Sequence, residues 1–284
     1  MQVIAHGGAG GEPDEPEARQ AVLDEAAADG AARADPVAAA VATVRRLEDS
    51  PRFNAGVGGA VQSDGVVRTD AGLMTSDRRL GGACSMPGVA HAAEVARLVM
   101  AETPHVSMAG VHAVDLADAF DVDTGVELLT ADTREGYEAA DPPDGDVTDE
   151  LAWVEDRFAG TDTVGAVARD GDDLAAVTST AGRRFALRGR VGDVPQVGAG
   201  FYAAPAGGAS ATGAGEDIAR VTLARQAVDR LADGADAAAA AEAALAEFEA
   251  VTGSTAGLIV QDADGDTGHA FNSAAMQTAV AAEE

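Results

Sequence analysis

The stretch that most constrains this chain is residues 163–180. Thr163-Val164-Gly165-Ala166-Val167-Ala168-Arg169-Asp170 alternates small and β-branched apolar residues in the manner of a buried strand, with a threonine at its first position. The turn Gly171-Asp172-Asp173 leads into a second apolar strand over residues 174–178. That strand ends in Thr178-Ser179-Thr180-Ala181-Gly182, so a cluster of hydroxyls lies one hairpin from Thr163. Arg190-Val191-Gly192-Asp193 then adds a fixed cation and a carboxylate, and Ser210-Ala211-Thr212-Gly213-Ala214-Gly215-Glu216 reads as a glycine-rich turn carrying a further threonine.

A hydroxyl is a poor nucleophile until a base takes its proton, and a threonine at a chain start can use its own α-amine as that base. Such an amine titrates near about 7.7–8.0, close to working pH. Thr163 acquires one only if the bond to Asp162 is cut. Its hydroxyl can attack the Asp162 carbonyl and convert the peptide to an ester, which water then hydrolyses.

The motifs His6-Gly7-Gly8-Ala9-Gly10, Phe53-Asn54-Ala55-Gly56, Asp70-Ala71, Thr163-Val164-Gly165, Ser179-Thr180, Gly189-Arg190-Val191-Gly192-Asp193, Thr212-Gly213 and Gly215-Glu216 follow one another in a characteristic order and spacing. On them the chain resembles the plant-type asparaginase and isoaspartyl peptidase family of N-terminal nucleophile hydrolases, from His6 to about Met276. The resemblance implies an α/β fold, a four-layer αββα sandwich. It implies a precursor that cleaves itself at Asp162–Thr163 into an α-part, residues 1–162, and a β-part, residues 163–284. These stay folded together and pair into a homodimer of cleaved units.

The same resemblance makes Thr163 the nucleophile and Thr180 its supporting hydroxyl. Thr212 and the Gly213 amide form the oxyanion hole; Arg190 and Asp193 grip the α-carboxylate and α-amine of an aspartyl substrate; Asn54 and Gly215 line the pocket. The substrates implied are L-asparagine and isoaspartyl dipeptides. No cofactor is required, and a structural sodium ion on the backbone of Glu48, Phe53 and Asn54 is the one metal implied. Asp162 stands where many relatives have glycine and resembles the glycosylasparaginases instead, Val57 replaces a common basic residue, and Ala181 a frequent glycine. The alternatives are therefore a glycosylasparaginase and, from another class, an uncleaved relative that only binds acidic amino acids.

The 284 residues carry 48 acidic side chains against 19 basic ones, all arginine, for a net charge of −29. Such a surface repels nucleic acid and anionic membranes. It fits a cytoplasm at molar salt, where the Debye length falls to about 3 Å and self-repulsion is screened. The single Cys84 leaves no intramolecular disulfide, the start lacks signal-peptide character, and no apolar run approaches the roughly 20 residues of a membrane helix, so a cytoplasmic protein is expected.

Elsewhere the pattern predicts a strand over residues 2–5 entering a glycine loop at 6–11, and a helix over 15–29 stopped by Gly30. Further helices are predicted over 36–48, 92–101, 216–231 and 235–248, and strands over 256–261 and 268–271. Residues 134–162 hold ten acids and two arginines and read as a mobile acidic linker, or as a surface loop with one short helix over 150–158. His105 and His112 stand alone and are assigned no catalytic role.

Overall fold

A computed structural model describes residues 1–158, 160 and 162–283. In chain order the elements are β1 (Gln2–Gly10), α1 (Pro16–Ala31), α2 (Pro36–Glu48), β2 (Arg68–Thr75), β3 (Leu80–Pro87), α3 (Ala92–Glu102), β4 (Ser107–Ala109) and α4 (Gly110–Ala119). They continue with α5 (Ala131–Ala139), α6 (Val147–Arg157), β5 (Val164–Asp170), β6 (Asp173–Thr180), β7 (Phe201–Ala204), β8 (Gly207–Gly213), α7 (Gly215–Val221) and α8 (Leu223–Ala232). The last four are α9 (Ala237–Thr252), β9 (Ala256–Asp262), β10 (Thr267–Phe271) and β11 (Ala275–Ala282).

The strands form two sheets, one ordered β11-β1-β5-β6-β2-β3-β4 and the other β10-β9-β8-β7. Because side chains alternate along a strand, β5 and β6 feed two cores at once. Val164, Ala166, Ala168, Ala175 and Val177 pack towards α1, α2 and α3 with Leu23, Val44 and Leu47. Val167, Leu174 and Ala176 point the other way, against Phe201, Ala209 and Ile259 of the second sheet, which α8 and α9 cover from outside. The result is the expected four-layer αββα sandwich. Leu47 is fully buried, and its truncation to alanine costs about 2–5 kcal/mol.

The predicted hairpin and the helix at Pro36–Glu48 are in place, the latter capped by the Asp35 carboxylate accepting from the Ala38 amide at 2.9 Å. Several expectations are corrected. The glycine loop at 6–11 is the second half of β1, with a bulge between His6 and Ala9 where the strand turns past Asp162. Gly30 does not stop α1 but lies inside it, because a Cβ there would sit 2.0 Å from Thr43 Oγ1 on α2. The helix over 216–231 is two, broken at Thr222 in a left-handed conformation. The reason is that the amides of Ala224 and Arg225 are taken by the carbonyls of Ala199 and Gly198.

The acidic segment is not a mere linker. Thr130 and Asp146 cap α5 and α6, and a small aromatic cluster of Tyr137, Trp153 and Phe185 anchors them. Tyr137 Oη donates to the Ser63 carbonyl at 2.9 Å, and Ser63 Oγ to Glu150 Oε2 at 2.6 Å. The acids lie at helix starts and on solvent faces while three aromatic rings hold the segment down. Ala159 and Thr161 of that expected linker, and Glu284 of the β-part, lie outside the described residues.

Candidate active site

β5 runs between β1 and β6 in the middle of the larger sheet, and Thr163 directly precedes it, 5% exposed. The peptide ahead of it is held by its carbonyl. The Asp162 oxygen accepts from Asn54 Nδ2 at 2.8 Å and lies 3.3 Å from Thr180 Oγ1. Asn54 is itself fixed, since Nδ2 also donates to the Gly182 carbonyl at 2.6 Å and Oδ1 accepts from the Ala60 amide at 2.8 Å. Thr180 Oγ1 accepts from the Gly182 amide at 3.0 Å, which leaves its proton directed at the carbonyls of Asp162 and Asn54. Gly8 closes the other side with φ at +112°, and a Cβ there would lie 2.2 Å from Asp162 Oδ1 and 3.1 Å from the Thr163 carbonyl oxygen. Only glycine fits that space and that backbone.

Gly182 also adjoins the second group of expected residues. A Cβ on Gly215 would lie 2.5 Å from Asp193 Oδ1 and 2.9 Å from Arg190 Nη2, so Arg190, Asp193 and Gly215 meet at one point. Glu216, at the start of α7, accepts from Arg190 Nε at 2.8 Å and from Arg183 Nη1 at 3.0 Å, and so fixes both guanidinium groups. Among the described residues, Arg190 Nη2 and Asp193 Oδ2 are buried without a hydrogen-bond partner, as groups awaiting a zwitterionic ligand would be. Burial raises the Asp193 carboxyl to about 6 against the pull of Arg190, and raises Asp70, beside both, to about 7. Partial burial opposes ionisation of Glu216, but Arg190 outweighs it and holds that carboxyl below its usual range.

Thr212 and Gly213 end β8, a regular strand rather than the expected turn. Thr212 Oγ1 accepts from the Ala9 amide at 3.2 Å, tying this strand to β1 one residue past Gly8. Behind Thr163, His6 Nε2 lies 2.8 Å from Ser210 Oγ, which is 2.6 Å from Thr178 Oγ1, so buried polar groups join the two sheets under the nucleophile strand. Burial lowers His6 to about 3, which keeps the ring neutral. Glu48, equally buried, accepts from Ser179 Oγ at 2.6 Å and from the Ala93 amide at 3.0 Å; burial raises its carboxyl to about 8.

A cleft of about 370 Å³ opens beside the Asp162 carbonyl, lined by Gly10, Asn54, Gly59, Tyr137, Gly160 and Phe185 among others. The largest groove, about 910 Å³, lies elsewhere, between α2, α3 and the β2–β3 turn, and shares no residue with this centre. Sequence reasoning missed Arg19, Arg183 and Phe158. Arg19 approaches Asp162, and the Phe158 ring lies beneath the Arg183 guanidinium at 3.9 Å. An arginine in a helix and a phenylalanine in an acidic stretch carry no local pattern that marks them.

A threonine opening a central strand of an αββα sandwich, its preceding carbonyl already polarised and an arginine–carboxylate pair alongside, defines an N-terminal nucleophile hydrolase. Comparison with known proteins narrows the class. The chain matches the family described as Asparaginase over residues 1–284 and belongs to it. It is 40% identical over 289 residues to the plant-type L-asparaginase of Pyrobaculum calidifontis, covering 96% of this chain and 94% of that protein. The plant-type L-asparaginase of Pyrococcus furiosus is 37% identical over 245 residues, 83% and 80% of the two chains. The isoaspartyl peptidase/L-asparaginase of Danio rerio is 35% identical over 289 residues, 98% and 91%.

Proposed function

We propose that this chain is a self-cleaving amidohydrolase acting on L-asparagine and isoaspartyl dipeptides. The observation that carries the reading is the Asp162 carbonyl, held by Asn54 and Thr180 next to an Arg190–Asp193 pair with unpartnered polar atoms. In the first reaction Thr163 Oγ adds to the Asp162 carbonyl carbon while Asn54 and Thr180 stabilise the charge gathering on its oxygen. The C–N bond breaks as nitrogen takes the proton lost by the hydroxyl, leaving an ester. Water hydrolyses it, releasing the Asp162 carboxylate and a free α-amine on Thr163.

In the second reaction that amine serves as the base. Arg190 takes the substrate α-carboxylate through paired N–H donors and Asp193 its ammonium group. Thr163 Oγ attacks the side-chain carbonyl, Thr212 and the Gly213 amide receive the oxyanion, and ammonia or an amino acid leaves with the proton. Water then frees aspartate from the acyl-enzyme.

The test is intact mass and N-terminal sequencing of protein incubated in molar salt, followed by assays with both substrates. Two fragments, the smaller starting at Thr163, with ammonia released from asparagine, support the reading. A folded chain that stays whole favours a binding protein, and sugar release from aspartylglucosamine without ammonia from asparagine favours a glycosylasparaginase. Thr163→Ala should stay whole and inactive, and Thr163→Ser should still cut.

Three further features belong to this proposal. Cleaved units pair into a homodimer, checked by light scattering. The protein works in a salt-rich cytoplasm, for which its charge argues. The turn at 48–54 binds sodium through backbone carbonyls; those of Glu48 and Asn54 each accept one chain amide and retain a second lone pair. A higher melting temperature in sodium than in choline chloride would support the last point.

A further inference from the structure

Arg19 is an anomaly on α1. It is 7% exposed on a helix face otherwise made of Leu23, Ala26, Ala27 and Ala31, where a cation is costly unless its fork is filled and its charge answered. The fork is filled by neutral acceptors. Nη2 donates to the Gly7 carbonyl, Nη1 to Gln277 Oε1 at 2.9 Å and Nε to the Arg52 carbonyl at 3.2 Å, while the guanidinium lies 4.6 Å over the Phe53 ring. The charge is answered by one carboxylate within ion-pair distance among the described residues, Asp162, whose Oδ2 lies 3.8 Å from Nη2. On its other side Gly8 presses against Oδ1. The Asp162 side chain is thus bounded by a fixed cation and a backbone without Cβ, one bond away from the carbonyl that Thr163 would attack.

We propose that Arg19 is a positioning residue for cleavage of the Asp162–Thr163 bond: it holds the Asp162 carboxylate so that the carbonyl stays on Asn54 and Thr180. This rests on the self-cleavage reading above. It also gives a reason for aspartate at a position where the family has room for glycine: the side chain is a handle, and Arg19 grips it. The grip is made possible by the contacts to Gly7, Gln277 and Arg52, which prevent the guanidinium from moving to solvent. The bland alternative is that Arg19 only stitches α1 to β1 and β11.

A double-mutant cycle on the full-length chain separates the two, with cleavage followed by intact mass and folding by thermal melting. Arg19→Gln should slow cleavage about tenfold in the Asp162 chain, as misplacement of a reacting group does, and should add nothing once Asp162→Asn is present. Equal slowing in both backgrounds would assign Arg19 to structure alone and overturn the proposal, as would an unchanged rate. Should Arg19→Gln not fold, Asp162→Asn carries the test: it must itself cut about tenfold slower at a near-native melting temperature, and a native rate overturns the role. An unaltered chain that never cuts would overturn the self-cleavage reading and this role with it, whereas an unaltered chain that cuts no faster than Arg19→Gln overturns the role only.

Discussion

The side-chain amide of Asn54 reaches from the loop after α2 to the carbonyl oxygen of Asp162, 108 positions later in the chain, and binds it at 2.8 Å. A donor aimed at an oxygen where charge will develop contributes most in the transition state. Replacing Asn54 with alanine should therefore slow self-cleavage by about 10² to 10³-fold, with the chain still folded. A time course of fragment appearance at native melting temperature checks this; a rate within a factor of about two of native would remove Asn54 from the reaction.

Asp193 must be ionised to accept an ammonium group, and its carboxyl sits at about 6. As pH falls through that value the protonated form grows and the attraction is lost. The KM for asparagine should rise below pH 6 more steeply than kcat falls. Asp193→Asn should show a high KM with that limb absent, measured as initial rates across pH 4.5–8. A KM independent of pH over this range would place the ammonium group elsewhere.

Stability should vary with pH in a direction fixed by the buried groups. Glu48 and Asp70 sit near 8 and 7 in the fold, well above the ordinary carboxylate range. The folded chain therefore holds protons that the unfolded chain has released, and stability from these groups is lost as pH rises through 7 and 8. His6 works in the opposite sense: lowered to about 3, it contributes stability above 6.5 that disappears as pH falls. Above pH 6.5 only the carboxylate trend remains. The melting temperature of uncleavable Thr163→Ala protein should fall between pH 6.5 and 8.5, and Glu48→Gln should flatten the fall; a rising curve would contradict the burial of these charges.

With a net charge of −29, screening should stabilise the fold. Raising potassium chloride from about 0.1 M to 2 M shortens the Debye length from about 10 Å to below 3 Å, and the melting temperature should climb throughout. No change over that range would mean that repulsion is already balanced within the fold.

The parts of the fold legible in the sequence were those whose residues repeat a local rule. The hairpin of β5 and β6 and the capped helix after Asp35 announce themselves by alternation and by Asp-Pro. β8 did not, because its Gly207-Gly208-Ala209-Ser210 run is small for a reason outside its own neighbourhood: the other sheet approaches there, with Val167 packed against Gly208. The break at Thr222 is likewise imposed by carbonyls of residues 198 and 199. At the site, motif order brought out Thr163, Thr180, Arg190, Asp193 and Asn54, and the fold places them on two adjoining clusters joined at Gly182. Arg19 was hidden because its partner is 143 positions away and only folding brings the two together.

The order of the larger sheet has a consequence for how such a protein can be made. Reading across it, β11 comes from after the cut, β1 from before, β5 and β6 from after, and β2, β3 and β4 from before. Severing Asp162–Thr163 would leave two polypeptides woven through one another, each supplying the hydrogen-bonding edge that its counterpart needs on both sides. Neither piece has a sheet of its own to fold onto, so the halves synthesised apart would have no stable form in which to meet. Assembly has to precede scission, and the peptide bond is best understood as scaffolding, needed to build the weave and dispensable once it stands.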